Sequence, residues 1–205
     1  MGLYNKYVLP VIIDVACKQN PNTRQREKVI PLAHGHVLEI GIGSGLNLPF
    51  YAKGKIKRLT GIDPSLELWN RNTVDVRKLP YEFSFIRATA ENIPADSDSF
   101  DTVVMTYTLC TIPDTSRALT EIRRVLKTGG KLLFCEHGIA PDKGVQRWQN
   151  MINPVWKRFG GGCNLNRDIP AIIDENGFNL SKLEAMYIPG WKPASFNYWG
   201  AAKPD

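Results

Sequence analysis

Apolar and polar positions follow two alternating periods along this chain. Short, nearly unbroken apolar runs occur at residues 36–40, 59–62, 83–87, 100–105 and 131–136. Runs of that length predict strands covered on both faces. The stretches around and between them carry apolar residues every three or four positions, which predicts helices. In residues 4–19, Tyr4, Val8, Val11, Ile12 and Val15 share one side, with Pro10 kinking or starting the helix. Asn20-Pro21-Asn22 is expected to break it. Thr23 then reads as the N-cap of a second helix reaching about residue 31, with Arg26 rather than an acid at the capping-box position. Further helices are predicted over residues 66–76 and 115–126, the latter closed by Lys127-Thr128-Gly129-Gly130. Residues 145–159, ended by Gly160-Gly161-Gly162, and 167–176, ended by Gly177, complete the set. Residues 178–187 and 195–202, joined through Pro189-Gly190-Trp191, read as strands of an edge hairpin.

Strands alternating with helices imply a parallel sheet with right-handed crossovers. The expected fold is therefore α/β: a Rossmann-like, doubly wound, seven-stranded sheet, mostly parallel, with an antiparallel final strand. One domain is expected. It would comprise an N-terminal helical lid (1–35), a core carrying the binding site (36–140) and a covering segment with the edge hairpin (141–205).

The first strand ends in Glu39-Ile40-Gly41-Ile42-Gly43-Ser44-Gly45, and the second ends in Asp63, eighteen residues beyond Gly45. Glycine lets the chain turn tightly and lets a ligand lie against it. An acid after the second strand holds ribose hydroxyls. The dinucleotide fingerprint is G-x-G-x-x-G, and it faces a pyrophosphate. Here the spacing is G-x-G-x-G behind a carboxylate, which repels phosphate and attracts an ammonium or sulfonium. The loop thus favours S-adenosylmethionine (SAM) over a nicotinamide dinucleotide. Asn47 either reaches the methionine carboxylate or supports the turn.

Composition is that of an ordinary globular protein, 43% hydrophobic and 22% charged. Cys17, Cys110, Cys135 and Cys163 show no paired spacing. They read as reduced thiols of a cytoplasmic protein, without a disulfide frame or a metal site. No run is long enough to span a bilayer, and no signal-peptide pattern stands at the start. Residues 1–60 carry nine Lys/Arg against three Asp/Glu, while residues 61–205 carry 17 of each. The basic excess is either a solvated rim or, beside the apolar face of the first helix, a surface for anionic lipid. Basic and aromatic residues are not interleaved as a nucleic-acid groove would need.

The glycine motif with Asp63-Pro64 resembles the class I SAM-dependent methyltransferases. Arg87-Ala88-Thr89-Ala90-Glu91-Asn92-Ile93-Pro94, then Ser99-Phe100-Asp101, resemble the adenine turn and fourth strand of the UbiE-like group, which usually has an acid where Thr89 stands. Leu109-Cys110-Thr111-Ile112, Glu136-His137, Trp148-Gln149, Pro154-Val155-Trp156-Lys157 and Gly162-Cys163-Asn164-Leu165-Asn166-Arg167 resemble a narrower branch. It includes animal membrane-associated alkyl thiol methyltransferases and their bacterial relatives. The animal members' long hydrophobic anchor is not matched, so their membrane placement is not carried over.

The resemblance implies methyl transfer from SAM to a small apolar acceptor: a thiol, a quinone precursor or a lipid headgroup. It implies cofactor contacts from Glu39, Gly41, Gly43, Gly45, Asn47, Asp63, Pro64, Thr89, Ala90, Glu91, Thr106 and Tyr107. His137, with Glu136, is the candidate base at the open edge, the alternative being a structural histidine. Cys110, Trp148, Trp156 and Cys163 are candidates for the acceptor site, or else core. The other readings are a SAM-binding subunit without chemistry and an RNA methyltransferase. No nucleic-acid partner is expected, and lipid contact would come through the N-terminal segment.

Overall fold

The computed structural model describes residues 3–205; the first two residues of the expected lid lie outside it. Seven strands form one sheet in the order β3-β2-β1-β4-β5-β7-β6. They are β1 (Gly35–Ile40), β2 (Ile56–Ile62), β3 (Glu82–Ile86), β4 (Phe100–Thr106), β5 (Leu126–His137), β6 (Phe178–Tyr187) and β7 (Phe196–Pro204). Strands β1 to β5 pair in parallel. β7 runs antiparallel to both β5 and β6. The expected hairpin forms, but β7 lies inside the sheet, so of the hairpin's two strands only β6 is at an edge.

Strand alternation divides the core between the two faces. Leu38, Ile40, Val103, Met105, Leu132 and Phe134 pack on one side with Leu119 and Ile122 of α4 (Thr115–Val125) and Ile169 and Ile173 of α6 (Ile169–Glu175). Val37, Leu59, Val104, Leu133 and Cys135 pack on the other with Val29 of α2 (Asn20–Val29). α1 (Leu9–Cys17), entered by a π-helical turn over Tyr4–Val8, and α5 (Lys143–Phe159) lie outside these two clusters.

Several predicted boundaries move. Asn20-Pro21-Asn22 begins α2 instead of breaking a helix, since Pro21 stands in the first turn, where its missing N–H costs nothing. The N-cap is Gln19; the Thr23 hydroxyl donates back to Gln19 O at 3.3 Å. α3 is one turn, Leu66–Trp69, well short of residue 76. The Asn72 side chain accepts from Val74 N at 2.9 Å and donates to Val74 O at 3.0 Å, a local bonding that competes with helix. Strand β2 starts at Ile56, and the Lys127–Gly130 turn is a bulge within β5.

Candidate active site

The strand order reverses between β1 and β4. In such sheets ligands bind outside the carboxyl ends at this point. A cavity of about 570 Å³ opens there. Its floor is the glycine loop. Gly41, Gly43 and Gly45 all have positive φ. At Gly43 (φ 55°) an added Cβ would come within 3.4 Å of Leu68 and otherwise face the open cavity, so a side chain would occupy the ligand's space. Gly45 was expected among the cofactor contacts but does not line this cavity. Its φ of 74° turns the chain, with its back to Asn72 and Leu48.

Glu39, at the end of β1, is buried. Its two oxygens accept from Asn47 Nδ2 at 2.9 Å and from the Tyr51 hydroxyl at 2.7 Å. Burial pushes its pKa up to about 7 against those bonds. Asn47 also donates to Thr106 Oγ1 at 2.9 Å. Its own Oδ1 is buried and has no partner, and the residue lines the cavity. Asn47 thus supports the turn and also offers an unused acceptor. Asp63 accepts from Gly43 N at 2.9 Å and Ser65 N at 2.8 Å, while burial raises its pKa. Pro64, Thr89, Ala90, Glu91, Thr106 and Tyr107 line the same cavity. Tyr107 is a non-glycine residue in the left-handed region (φ 55°), a conformation that concentrates at functional sites. Its hydroxyl donates to Asn197 Oδ1 at 2.8 Å.

Three buried polar residues in or near the site were not expected to be buried. Arg26 is buried on the cavity wall, 5.0 Å from the Tyr107 ring, and its Nε has no partner. Nothing in its sequence neighbourhood distinguishes it from a solvated charge. Asp14 is buried in α1 and accepts from Ser44 Oγ at 2.5 Å, Lys18 at 2.8 Å and Arg71 at 3.1 Å. Burial raises its pKa, but those three donors outweigh it and hold it below the usual value. Asp14 thereby ties α1 to the glycine loop. The sequence signal was a single acid ending the apolar run Val8 to Ile13. Gln149 of α5 is fully buried. It accepts from Ala140 N and donates to the carbonyls of Gly138, Leu165 and Pro193, all at 2.9–3.0 Å.

Glu136 and His137 were expected as the base at the open edge of the sheet. Both leave β5 at that edge, but neither side chain lines the cavity. The buried Glu136 carboxylate accepts from the backbone N–H of Thr108, Leu109 and Cys110 at 2.8, 3.0 and 3.4 Å. Burial pushes its pKa up to about 7. It shapes the loop after β4 and is spent on that task. His137 Nε2 lies 3.0 Å from Cys163 Sγ. Cys110, Cys163 and Trp156 gather around that contact, beside the cavity rather than in its wall. Trp148 was expected in an apolar wall. It is 58% exposed, because Gln149 takes the inward position of α5. Instead Leu9, Pro10 and Ile13 of α1, Thr111 to Pro113, Arg158 and Gly161-Gly162 complete the cavity.

The residues present fit SAM. Asp63, on the cavity wall after β2, is a hydrogen-bond acceptor of the kind ribose hydroxyls need. Glu39 and the free Asn47 Oδ1 suit an ammonium, and the unpaired Arg26 Nε suits a carboxylate.

The family model described as a methyltransferase domain matches residues 38–134. Thiol S-methyltransferase TMT1B of Rattus norvegicus is 36% identical over 168 residues, covering 79% of this chain and 65% of that protein. Its Homo sapiens counterpart is 34% identical over 172 residues, 81% of this chain and 69% of that protein. The chain therefore spans about two thirds of the length of these curated relatives. Among solved structures, a SAM-dependent methyltransferase of Thermotoga maritima, described as a possible histamine N-methyltransferase, aligns with a TM-score of 0.67 at 20% identity. It covers 99% of this chain and all of that one, and it supports the fold alone.

Proposed function

This chain belongs to the class I SAM-dependent methyltransferases, with SAM as cofactor, and from that premise we propose that it methylates a small apolar thiol. When bound, the cofactor supplies an electrophilic methyl group on a sulfonium. The chain's residues do the rest. Glu39, Asn47 and Arg26 would hold the amino-acid end, and Asp63 would hold the ribose. Leu9, Pro10, Ile13, Ile112 and Pro113 supply an apolar wall that would exclude water and position an apolar acceptor.

One observation carries the choice of a thiol: among the described residues no histidine lines the cavity, and of the carboxylates on its wall Asp14, Glu39 and Asp63 are held by other groups while Glu91 accepts from Asp114 N at 3.5 Å. A thiol reaches its nucleophilic thiolate near neutral pH without a strong base. An amine or hydroxyl acceptor needs one. The rat and human relatives are named as thiol S-methyltransferases, which supports the same reading. The test is a panel of apolar thiols, quinols and headgroup amines incubated with SAM, with products resolved by mass. A methyl thioether with matching S-adenosylhomocysteine is expected. Methylation of quinol or amine with no thioether would overturn the reading.

We also infer that the N-terminal segment rests on anionic lipid. Tyr7, Val8, Ile12 and Val15 are exposed on it, and Tyr4 donates to Phe159 O at 2.8 Å. That joins it to the exposed Met151, Val155 and Phe159 of α5, beside Lys157 and Arg158. Apolar side chains rimmed by cations suit an anionic interface. No helix among the described residues is long and apolar enough to cross a membrane.

A further inference from the structure

The mechanism above leaves one reactive cluster unused. Cys110 lies in the loop after β4, His137 at the end of β5, and Cys163 just past the glycine turn that ends α5. Their Sγ, ring nitrogen and Sγ all lie within 4.8 Å of one another. The two cysteine backbones are held side by side: Asn164 N and Asn164 Nδ2 donate to Cys110 O at 2.9 and 3.0 Å. His137 Nε2 at 3.0 Å and the Trp156 indole N–H at 3.3 Å both point at Cys163 Sγ. The Cys110 thiol, then the His137 charge and the indole, draw the Cys163 pKa well down, while Cys110 is raised. The short contact with His137 favours the thiolate form of Cys163, and the residue is half-buried. A low-pKa, accessible cysteine beside a resolving partner is the arrangement that reacts with peroxide.

We propose that Cys163 is a modification site for peroxides, resolved by Cys110 into a disulfide that ties the Gly160–Gly162 turn to the loop after β4. The Cys163 thiolate attacks one peroxide oxygen. The S–O bond forms, the O–O bond breaks, and the departing hydroxide takes the His137 proton to become water. Cys110 sulfur then attacks the sulfenic Cys163 sulfur. The S–S bond forms, the S–O bond breaks, and the leaving hydroxide takes the Cys110 proton to become a second water. Two thiols are oxidised and one peroxide is reduced. Gly161, Gly162, Thr111 and Ile112 border the cavity, so the bond would join two of its walls.

The same three residues could be read as a metal site. Against that, His137 Nδ1 is buried without a partner. A metal-bound histidine almost always donates its other N–H to an acceptor.

The test uses the full chain, reduced with a phosphine, because a thiol reductant is itself a candidate acceptor. After one equivalent of hydrogen peroxide, non-reducing peptide mapping should show a Cys110–Cys163 link, with Cys17 and Cys135 still free. Cys163 should react at least about tenfold faster than Cys17. Cys110→Ser should leave Cys163 as a sulfenic acid trappable by a cyclic dione. Cys163→Ser, shown folded by retained SAM binding, should abolish the rapid reaction. Equal reactivity of all cysteines, a link elsewhere, or an equivalent of zinc that copurifies and shields both thiols would each overturn the proposal. These readouts do not depend on which acceptor is methylated.

Discussion

Glu39 should make SAM binding depend on pH in a calculable way. In the free protein, burial lifts its carboxyl to about 7. A cationic ligand attracts only the ionised form, so affinity should rise with pH and level off above about 7. At pH 5.5 about one molecule in thirty is ionised, so affinity should be about thirtyfold weaker than at pH 8, or about 2 kcal/mol. Titration calorimetry from pH 5.5 to 8 reads this directly. Near pH 6.5 the binding heat should also vary with the buffer's ionisation enthalpy, because protons are released. Glu39→Gln should bind weakly and remove most of the slope; any remainder belongs to Asp63, whose pKa is also raised. S-adenosylhomocysteine keeps the ammonium and lacks the sulfonium, so a retained slope assigns the partner to the ammonium. A flat profile in the wild type, or an unchanged slope in Glu39→Gln, would refute the argument.

Asp63→Ala should weaken SAM binding by about 1.5–3 kcal/mol, the scale of hydrogen bonds to a charged group, in calorimetry on the folded variant. Gly43→Val should abolish binding while thermal unfolding shows a folded protein. Deleting residues 1–18 should preserve the sheet by circular dichroism yet impair both turnover and binding to anionic vesicles; normal values for both would remove both roles from that segment. Gln149→Leu strands a buried N–H and three carbonyls, so it should cost at least about 3 kcal/mol and lower the Tm by roughly 6–12 °C. His137→Ala, with the histidine outside the cavity, should change kcat far less than the roughly 100-fold or greater loss expected for a general base.

The centre of the sheet was legible because β1, β4 and β5 are largely apolar on both faces, and the floor of the cavity because glycines and acids sit at strand ends where spacing is short. Glu39, Gly43, Asn47 and Asp63 all come from two adjacent strand–loop junctions. What was not legible depends on long-range contact. Asp14 meets Ser44 and Arg71 across thirty and fifty-seven residues. Arg26 stands in the sequence only as a capping-box position, and nothing there reveals that Tyr107 and the cavity cover it. Trp148 and Gln149 are neighbours in sequence, and only the packed helix reveals that the amide points inward and the indole outward. His137 was placed at the correct end of β5, but its chemistry is set by Cys163, twenty-six residues away.

The position of β7 also constrains how the chain can assemble. β5 pairs with β7, and β7 pairs with β6, which precedes it in sequence. Until residues 196–204 are inserted, β5 keeps an open hydrogen-bonding edge, and β6 has no partner strand. A nascent chain would carry that sticky edge throughout the synthesis of α5, α6 and β6. Closure comes as a late wedge between two elements made earlier. Chaperone engagement or self-association should therefore peak with chains halted before residue 196 and fall once Phe196–Pro204 has emerged.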